Sequence, residues 1–181
     1  MATKIIGLVG SLAAGKGTIA KYLIEQKAAN GHRFSTMLRD ILKRIYVEEE
    51  RGNLQILSTI LRQNFGEDIM AKVIANDVTN DEHDIVVIDG VRRFADITYL
   101  TKLPNFILAR VVADPEIRFE RLVKRAENPG DTEKTFNQFL ADELKEADAE
   151  VPMVMEKADV EINNNGNLDE LYQQIDRLIE K

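Results

Sequence analysis

A glycine-rich segment between an apolar run and a helical pattern constrains the fold of this chain more than any other feature. It runs from Gly10 to Thr18, reads Gly-Ser-Leu-Ala-Ala-Gly-Lys-Gly-Thr and follows the apolar residues 5–9. Gly10 and Gly15 bracket four residues and precede Lys16, a spacing that lets backbone N–H groups converge on phosphate oxygens while the lysine reaches the outer phosphates. A strand before and a helix after distinguish such a cradle for a nucleoside triphosphate from a simple glycine-rich turn. The residues expected to contact the nucleotide are Gly10, Ser11, Ala13, Ala14, Gly15, Lys16, Gly17 and Thr18.

The end of this segment departs from the general phosphate-binding pattern. Gly17 stands where that pattern has a Ser or Thr hydroxyl for magnesium, and Thr18 comes one place later. The Gly-Lys-Gly-Thr ending resembles that of the adenylate kinase group of nucleoside monophosphate kinases, together with the uncharacterised archaeal adenylate-kinase-related proteins. The resemblance implies ATP and Mg²⁺ as cofactors, with Thr18 on a phosphate and the metal held mainly by phosphates and water.

Composition agrees with such an enzyme without identifying it. At 181 residues, 44% hydrophobic and 30% charged, the chain suits one globular P-loop kinase domain over residues 1–181. The net charge of −7 argues against a nucleic-acid binder, and the lack of cysteine excludes disulfides and thiolate metal sites. The apolar run 5–9 is too short for a signal-peptide core or a membrane span. We therefore expect a cytoplasmic protein with a small-molecule partner and no membrane partner, as a monomer or small homo-oligomer.

Apolar stretches alternate with helical patterns along the chain, as they do in parallel α/β sheets. The run Ile85–Ile88 has no polar alternation, which is typical of a strand buried on both faces and covered by helices above and below. The prediction is the three-layer α/β fold of P-loop kinases, with helices on both faces of a five-stranded parallel sheet. The predicted strands are 5–9, 33–35, 85–88, 106–112 and 160–162.

Polar candidates follow the ends of these strands, where open α/β sheets bind their ligands. The acidic cluster 81–84 precedes a strand instead, so we expect it in a solvated loop at the opposite edge, without a function. His32 and His83 lack metal-ligand spacing, and surface or packing roles are expected for both.

Asp89, in Asp-Gly-Val-Arg-Arg, is the second informative position. A carboxylate at the end of a buried strand beside the phosphate loop can orient the shell of a magnesium ion, through water, although Asp-Gly is also common turn chemistry. A similar stretch in adenylate kinases supplies an arginine to the acceptor phosphate. The family spacing points to Arg93, whereas the archaeal relatives point to Arg92, which we favour narrowly.

Residues 35–39 resemble the Ser-Thr-Gly-Asp-Met-Leu-Arg segment of adenylate kinases with two residues missing. The resemblance implies that Ser35 and Arg39 contact the acceptor, for which the planar guanidinium fork suits phosphate oxygens. The long helical region 37–78, with a break predicted at 49–53, resembles an acceptor-binding insertion. Arg62 within it faces either that pocket or solvent.

A helix predicted over 115–126 carries a core-facing stripe formed by Phe119, Leu122, Val123 and Ala126. Arg121 and Arg125 lie in a second stripe that is either a solvated face or, by resemblance to adenylate kinases, neutralises the transferring phosphoryl group. The resemblance also implies a short lid over 127–148, entered through the turn 128–131.

Residues 157–168 resemble the last strand and turn of dephospho-CoA kinases, where the turn lies near the nucleotide base. For the run 163–167 we favour simple turn chemistry over base recognition, with Asn167 or Asp169 starting the final helix.

These parts predict a Mg-dependent transfer of the terminal phosphate of ATP to a nucleoside or deoxynucleoside monophosphate. No general base stands in the acceptor segment, and a monophosphate does not need one, because its second pKa is about 6. The runner-up is dephospho-CoA kinase, in which an aspartate stands where this chain has Ser35. Two other possibilities are an ATP-binding regulatory ATPase without a small acceptor and an inert relative that has lost its chemistry.

Overall fold

The secondary structure alternates between strands and helices as the sequence predicts. The computed structural model describes residues 2–126, 130–142 and 149–180. The strands are β1 (Lys4–Val9), β2 (Asn30–Arg33), β3 (Ile85–Val91), β4 (Phe106–Val112) and β5 (Val160–Asn163). The helices are α1 (Lys16–Lys27), α2 (Thr36–Arg44), α3 (Arg51–Phe65), α4 (Ile69–Thr79), α5 (Phe94–Ile97), α6 (Pro115–Arg125), α7 (Phe136–Asp142), α8 (Val151–Met155) and α9 (Leu168–Glu180), with a 3₁₀ turn at Leu100–Lys102.

The strands form one parallel sheet in the order β2-β3-β1-β4-β5. Its central strand alternates between two apolar layers: Ile5 packs with α4 and α8, and Ile6 packs with α1 and α9. Burial on both faces explains why the central strands have no polar alternation. The predicted three-layer α/β fold with five parallel strands is confirmed.

The second strand lies earlier than predicted, at Asn30–Arg33 rather than 33–35. Its sequence, Asn-Gly-His-Arg, has no apolar run, because β2 pairs only with β3 and its residues stay partly exposed. Phe34, which we placed in the strand, is buried in the turn that follows. The break between helices also comes earlier than 49–53, since α2 ends at Arg44 and α3 begins at Arg51.

The third strand runs past Ile88 to Val91 through a β-bulge. Gly7 pairs with Ile88 and Val9 pairs with Val91, so one residue of β1 opposes both Asp89 and Gly90. Gly90 has φ of +93°, which other residues rarely adopt. The Asp-Gly pair that we interpreted as the end of the strand is therefore the bulge itself, a device common beside active sites.

Asp81 corrects the expectation of a solvated loop, because it is buried and its carboxylate contacts both histidines. Its carboxylate lies 2.6 Å from Nε2 of His32 and 2.7 Å from Nδ1 of His83, and it accepts a hydrogen bond from Nδ2 of Asn30 at 2.7 Å. The loop 81–84 thus anchors β2 to the start of β3 instead of being wholly solvated. Among the residues that the structure describes, no group of acidic, His or Cys side chains is arranged to hold a metal ion.

We expect Asp81→Asn to lower the free energy of unfolding by about 1–3 kcal/mol at pH 7, since one of the two acceptor oxygens becomes an NH2 donor and its partners lose their acceptor. Burial raises the pKa of Asp81, but the hydrogen bonds from His32, His83 and Asn30 outweigh it and hold the pKa well below its usual range. A depressed carboxyl pKa stabilises the fold above the unfolded-state pKa of about 3.9, and that contribution is lost as pH falls further. Urea denaturation from pH 7 to pH 3 should show the difference from wild type narrowing below pH 4. A difference in unfolding free energy that stays constant with pH would contradict the depressed pKa of Asp81. Asp77→Asn, at an exposed position on α4, is the control.

None of the helices in the described ranges has the length and apolar character needed to cross a bilayer.

Candidate active site

The loop between β1 and α1 folds back so that two of its carbonyl groups contact the side chain of Lys16. Nζ of Lys16 donates hydrogen bonds to the carbonyl oxygens of Gly10 at 2.5 Å and Ser11 at 2.9 Å. The N–H of Ala14 donates to the Ser11 carbonyl at 3.2 Å, which tightens the turn. The helix α1 then begins at Lys16, so its first N–H groups point toward the loop, as they do in phosphate-binding loops.

Two glycines of the loop are sterically required. A Cβ on Gly10 would lie 2.5 Å from the carbonyl oxygen of Val111 in β4, and one on Gly15 would lie 2.1 Å from Nδ2 of Asn164. Gly15 also has φ of +106°. The loop is therefore pressed against β4 on one side and the β5–α9 turn on another, which fixes the direction of its backbone.

Two buried polar side chains that the sequence analysis did not assign support the loop from behind. Asn164 donates from Nδ2 to the carbonyl of Ala14 at 2.8 Å, and Arg118 donates from Nη1 to the carbonyl of Leu12 at 3.2 Å. Both are at most 6% exposed. Asn164 follows β5 at the ligand edge of the sheet, so its position was a usable signal, whereas Arg118 looked like one member of a solvated stripe.

Arg121 contacts Asn164, one of these two supporting side chains. Its Nη2 lies 3.5 Å from Oδ1 of Asn164, and its Nη1 is a buried donor without a hydrogen-bond partner among the described residues. A buried guanidinium donor that lacks an acceptor is costly, and an anion bound beside the loop would satisfy it. Arg125 lies exposed at the end of α6.

The described part of the predicted lid packs on α6 through aromatic rings. Phe119 contacts Phe136 and Phe139 of α7 with ring centroids 5.4 and 5.7 Å apart, and the Arg118 guanidinium lies 5.3 Å from the Phe139 ring. Ala126, which we placed in the core-facing stripe, is instead the exposed residue that ends α6, at φ of +47°. Residues 127–129 and 143–148 of the predicted lid, including the first half of its entry turn, lie outside the described residues.

The bulge in β3 places Asp89 near the start of α1. Nε of Arg33 lies 3.7 Å from its carboxylate, and Arg33 pairs with Asp89 in the strand register. Thr18 lies exposed in the first turn of α1. A cavity of about 410 Å³ opens between α1 and β2. Its lining residues include Gly17, Lys21, His32, Arg33, Thr36 and Asp89.

The predicted acceptor residues are spread over several elements. Ser35 is the N-cap of α2, and Arg39 is exposed and forms an ion pair with Glu49 at 3.3 Å. Arg62 is neither open to solvent nor directed into the 410 Å³ cavity: its side chain is 13% exposed and pairs with Asp96 at 3.6 Å.

The two arginines after the bulge differ. Arg92 is exposed, whereas Nη1 of Arg93 lies 3.7 Å from the Glu67 carboxylate and the residue is partly buried.

Gly17 differs from the other loop glycines, because a Cβ there would meet nothing within 4 Å. We expect Gly17→Ser to fold normally and to lower the Mg²⁺ concentration for half-maximal activity roughly two- to tenfold, as one added oxygen contact of about 0.5–1.5 kcal/mol would do. A Mg²⁺ titration of turnover measures it. Gly52→Ser, at an open position on α3, is the matched control. An unchanged or higher Mg²⁺ requirement would contradict a metal site beside residue 17.

Sequence comparison supports a nucleotide-binding family. A protein-family model described as an AAA domain matches residues 6–151. The chain is 27% identical over 180 residues to a UPF0200 protein of Hyperthermus butylicus, a match that covers 99% of this chain and 96% of the relative. A UPF0200 protein of Sulfurisphaera tokodaii is 27% identical over 179 residues, covering 98% and 97% of the two chains.

Structural comparison supports a P-loop kinase-like fold. TT1252 from Thermus thermophilus aligns over 99% of this chain and 98% of its own, with a TM-score of 0.61 and 14% identity. A shikimate kinase from Acinetobacter baumannii in complex with shikimate aligns over 98% and 93%, with a TM-score of 0.58 and 20% identity. A shikimate kinase from Bacteroides thetaiotaomicron has a TM-score of 0.60 and 16% identity over 98% and 96%. At these identities the likeness establishes the fold alone.

Proposed function

We propose that this chain, which belongs to the AAA domain family, transfers the terminal phosphate of ATP to a small acceptor, and that the acceptor is a nucleoside or deoxynucleoside monophosphate. The observation that carries the proposal is the loop 10–18 with the helix α6 beside it. In the loop Gly10 and Gly15 admit no side chain, and in α6 the buried Nη1 of Arg121 has no acceptor among the described residues. Such a site fits the phosphate tail of a nucleotide.

The loop residues suit ATP. The backbone N–H groups at the start of α1 face the space over the loop, and Lys16 can exchange its two carbonyl partners for phosphate oxygens. Arg121 lies beside the loop through Asn164 and is suited to pair with phosphate charge. Arg125, at the end of the same helix, is proposed to join it when the lid 127–148 closes.

The residues beside α1 also fit magnesium. Asp89 and Thr18 would hold the ion through water, and bound magnesium would neutralise phosphate charge. Asp89 is partly buried and forms an ion pair with the exposed guanidinium of Arg33. Water and ions can replace such an exposed pair at low cost.

Catalysis by these residues is positioning and charge neutralisation. Lys16 and Arg121 hold the donor phosphates, while Arg92 and Arg39, at the same edge of the sheet, are proposed to hold the phosphate of the acceptor. For the exposed Arg39 this means leaving its partly buried partner Glu49. We propose that the region 37–78 is the acceptor-binding part of a single kinase domain.

One feature supports a small acceptor in general, and a second favours a monophosphate. The cavity of about 410 Å³ next to Gly17 and Asp89 is within the usual size range of small-molecule sites. The chain has Ser35 at the N-cap of α2 rather than the carboxylate that a hydroxyl acceptor would need as a base.

The test is an ADP-release assay with Mg·ATP and a panel of acceptors. The panel contains the ribonucleoside and deoxyribonucleoside monophosphates, dephospho-CoA and shikimate. Turnover that requires a monophosphate supports the proposal. Turnover only with dephospho-CoA or shikimate would replace the acceptor, and hydrolysis unaffected by any acceptor would favour a regulatory ATPase.

A further inference from the structure

Asp96 is a buried carboxylate that the phosphotransfer chemistry does not use. It lies in α5, the short helix that follows β3, and is 4% exposed. Its Oδ2 accepts hydrogen bonds from the backbone N–H groups of Arg92 at 2.9 Å and Arg93 at 3.0 Å. The carboxylate therefore fixes the backbone of both arginines that follow Asp89.

The other oxygen of Asp96 faces the acceptor-binding region. Its Oδ1 lies 3.6 Å from Nη2 of Arg62 in α3, and Nη1 of Arg62 donates to the carbonyl of Glu67 at 2.5 Å. One carboxylate thus joins a helix of the 37–78 region to the loop that carries Arg92.

Two further contacts join the 37–78 region to the residues that follow β3. Nη1 of Arg93 lies 3.7 Å from the Glu67 carboxylate, and the Tyr99 hydroxyl donates to Asp68 at 2.5 Å. We refer to these contacts and the Arg62–Asp96 pair as the acceptor brace. The brace engages the side chain of Arg93, and Arg92 lies exposed beside it.

The Asp96 side chain also has a local structural role, because it accepts the N–H of Arg93 in the capping box that begins α5. Burial raises the pKa of Asp96 above its usual value, against the opposing effect of the backbone N–H groups of Arg92 and Arg93 and the charges of Arg62 and Arg93. An ionised carboxylate in that setting is less favourable than in water. The capping box does not involve Arg62 or the N–H of Arg92, and those two contacts carry the inference.

We propose that Asp96 is a positioning residue that, through Arg62, holds the loop of Arg92 in register with the acceptor-binding helices. Arg62 then acts through Asp96 and does not contact the acceptor. The kinetic part of this inference rests on the proposed function, whereas the structural part does not.

The structural part is tested by amide hydrogen exchange on the full chain without nucleotide. In Asp96→Ala, which removes both acceptor oxygens, the amides of Arg92 and Arg93 should exchange at least tenfold faster, while the β1–α1 loop keeps its protection. Asp77→Ala, an exposed change on α4, is the matched control and should alter neither. Unchanged exchange at Arg92 and Arg93 would overturn the inference, whatever the protein catalyses.

The kinetic part uses AMP, or the monophosphate of the panel with the highest turnover. Asp96→Asn should raise the KM for the monophosphate at least tenfold and change the KM for ATP by less than twofold, a split that general destabilisation would not produce. Equal changes in both KM values would overturn the positioning role. A wild-type protein that accepts no monophosphate would instead refute the proposed function and leave the exchange result standing.

A double-mutant cycle tests the role of Arg62. Arg62→Gln should reproduce the kinetic effect of Asp96→Asn, and the double variant should be no worse than either single variant, because both changes release the same loop. Multiplying effects would show that Arg62 binds the acceptor by itself, contrary to the proposal. Arg177→Gln, exposed on α9, is the control for removal of an arginine charge.

Discussion

Lys16→Ala is expected to reduce turnover by about 10²- to 10³-fold, the usual effect of removing one preorganised charge from a site where negative charge must be stabilised. The ammonium group is the only side-chain cation within the 10–18 loop and already lies over the carbonyls of Gly10 and Ser11. Its replacement takes away the group expected on the outer phosphates. Steady-state kinetics with Mg·ATP and the best acceptor measure the change.

The fold should survive this substitution. The hydrogen bonds from Lys16 to the carbonyls of Gly10 and Ser11 are partly buried, so water can replace the ammonium group, and the free energy of unfolding should change by about 1 kcal/mol. Lys157→Ala, at an exposed position after α8, controls for the loss of a lysine. Unchanged turnover in a folded Lys16→Ala protein would remove Lys16 from its assigned role and, with it, the proposed mechanism.

Asp89→Asn is expected to lower kcat by about 10²-fold, because the amide keeps the shape of the side chain but loses the charge proposed to orient a magnesium shell. The experiment also separates two explanations of the residue. If Asp89 served only turn chemistry in the bulge, asparagine would replace it without loss, since the two residues favour the same local conformations.

Stability should change little in Asp89→Asn. The ion pair with Arg33 spans 3.7 Å and the Arg33 side chain is 65% exposed, and such pairs contribute little. Asp84→Asn, exposed just before the same strand at the opposite edge of the sheet, is the control. A decrease in kcat of less than threefold at saturating Mg²⁺ would show that Asp89 is not a magnesium residue.

The fold could be predicted largely because its signals are local. Residues 5–24 show the pattern of a strand, a glycine-rich loop and a helix, and residues 85–88 show that of a buried strand. Both patterns can be recognised without knowing the rest of the fold, and the structure has a strand at each place. The prediction failed at β2, where an edge strand needs no apolar run, and at Asp89, where a β-bulge uses the same Asp-Gly pair as a turn.

The site could be predicted only in part, for a different reason. The residues of the loop are contiguous, so their spacing is visible, whereas Arg118 and Asn164 come to it from distant elements. Their burial depends on packing that no local pattern records. The same is true of Asp96, whose acidic side chain looks like any surface carboxylate until its neighbours are known.

The contact between Asn164 and the Ala14 carbonyl spans 150 positions of the chain. During synthesis the first strand, the glycine loop and α1 emerge early, but the amide that supports the loop is made near the end. A ribosome-bound fragment that stops before β5 has the whole signature motif without its rear support. If the proposed function holds, such a fragment should bind nucleotide more weakly than the full chain, because its loop lacks the hydrogen bond from the Asn164 amide to the Ala14 carbonyl.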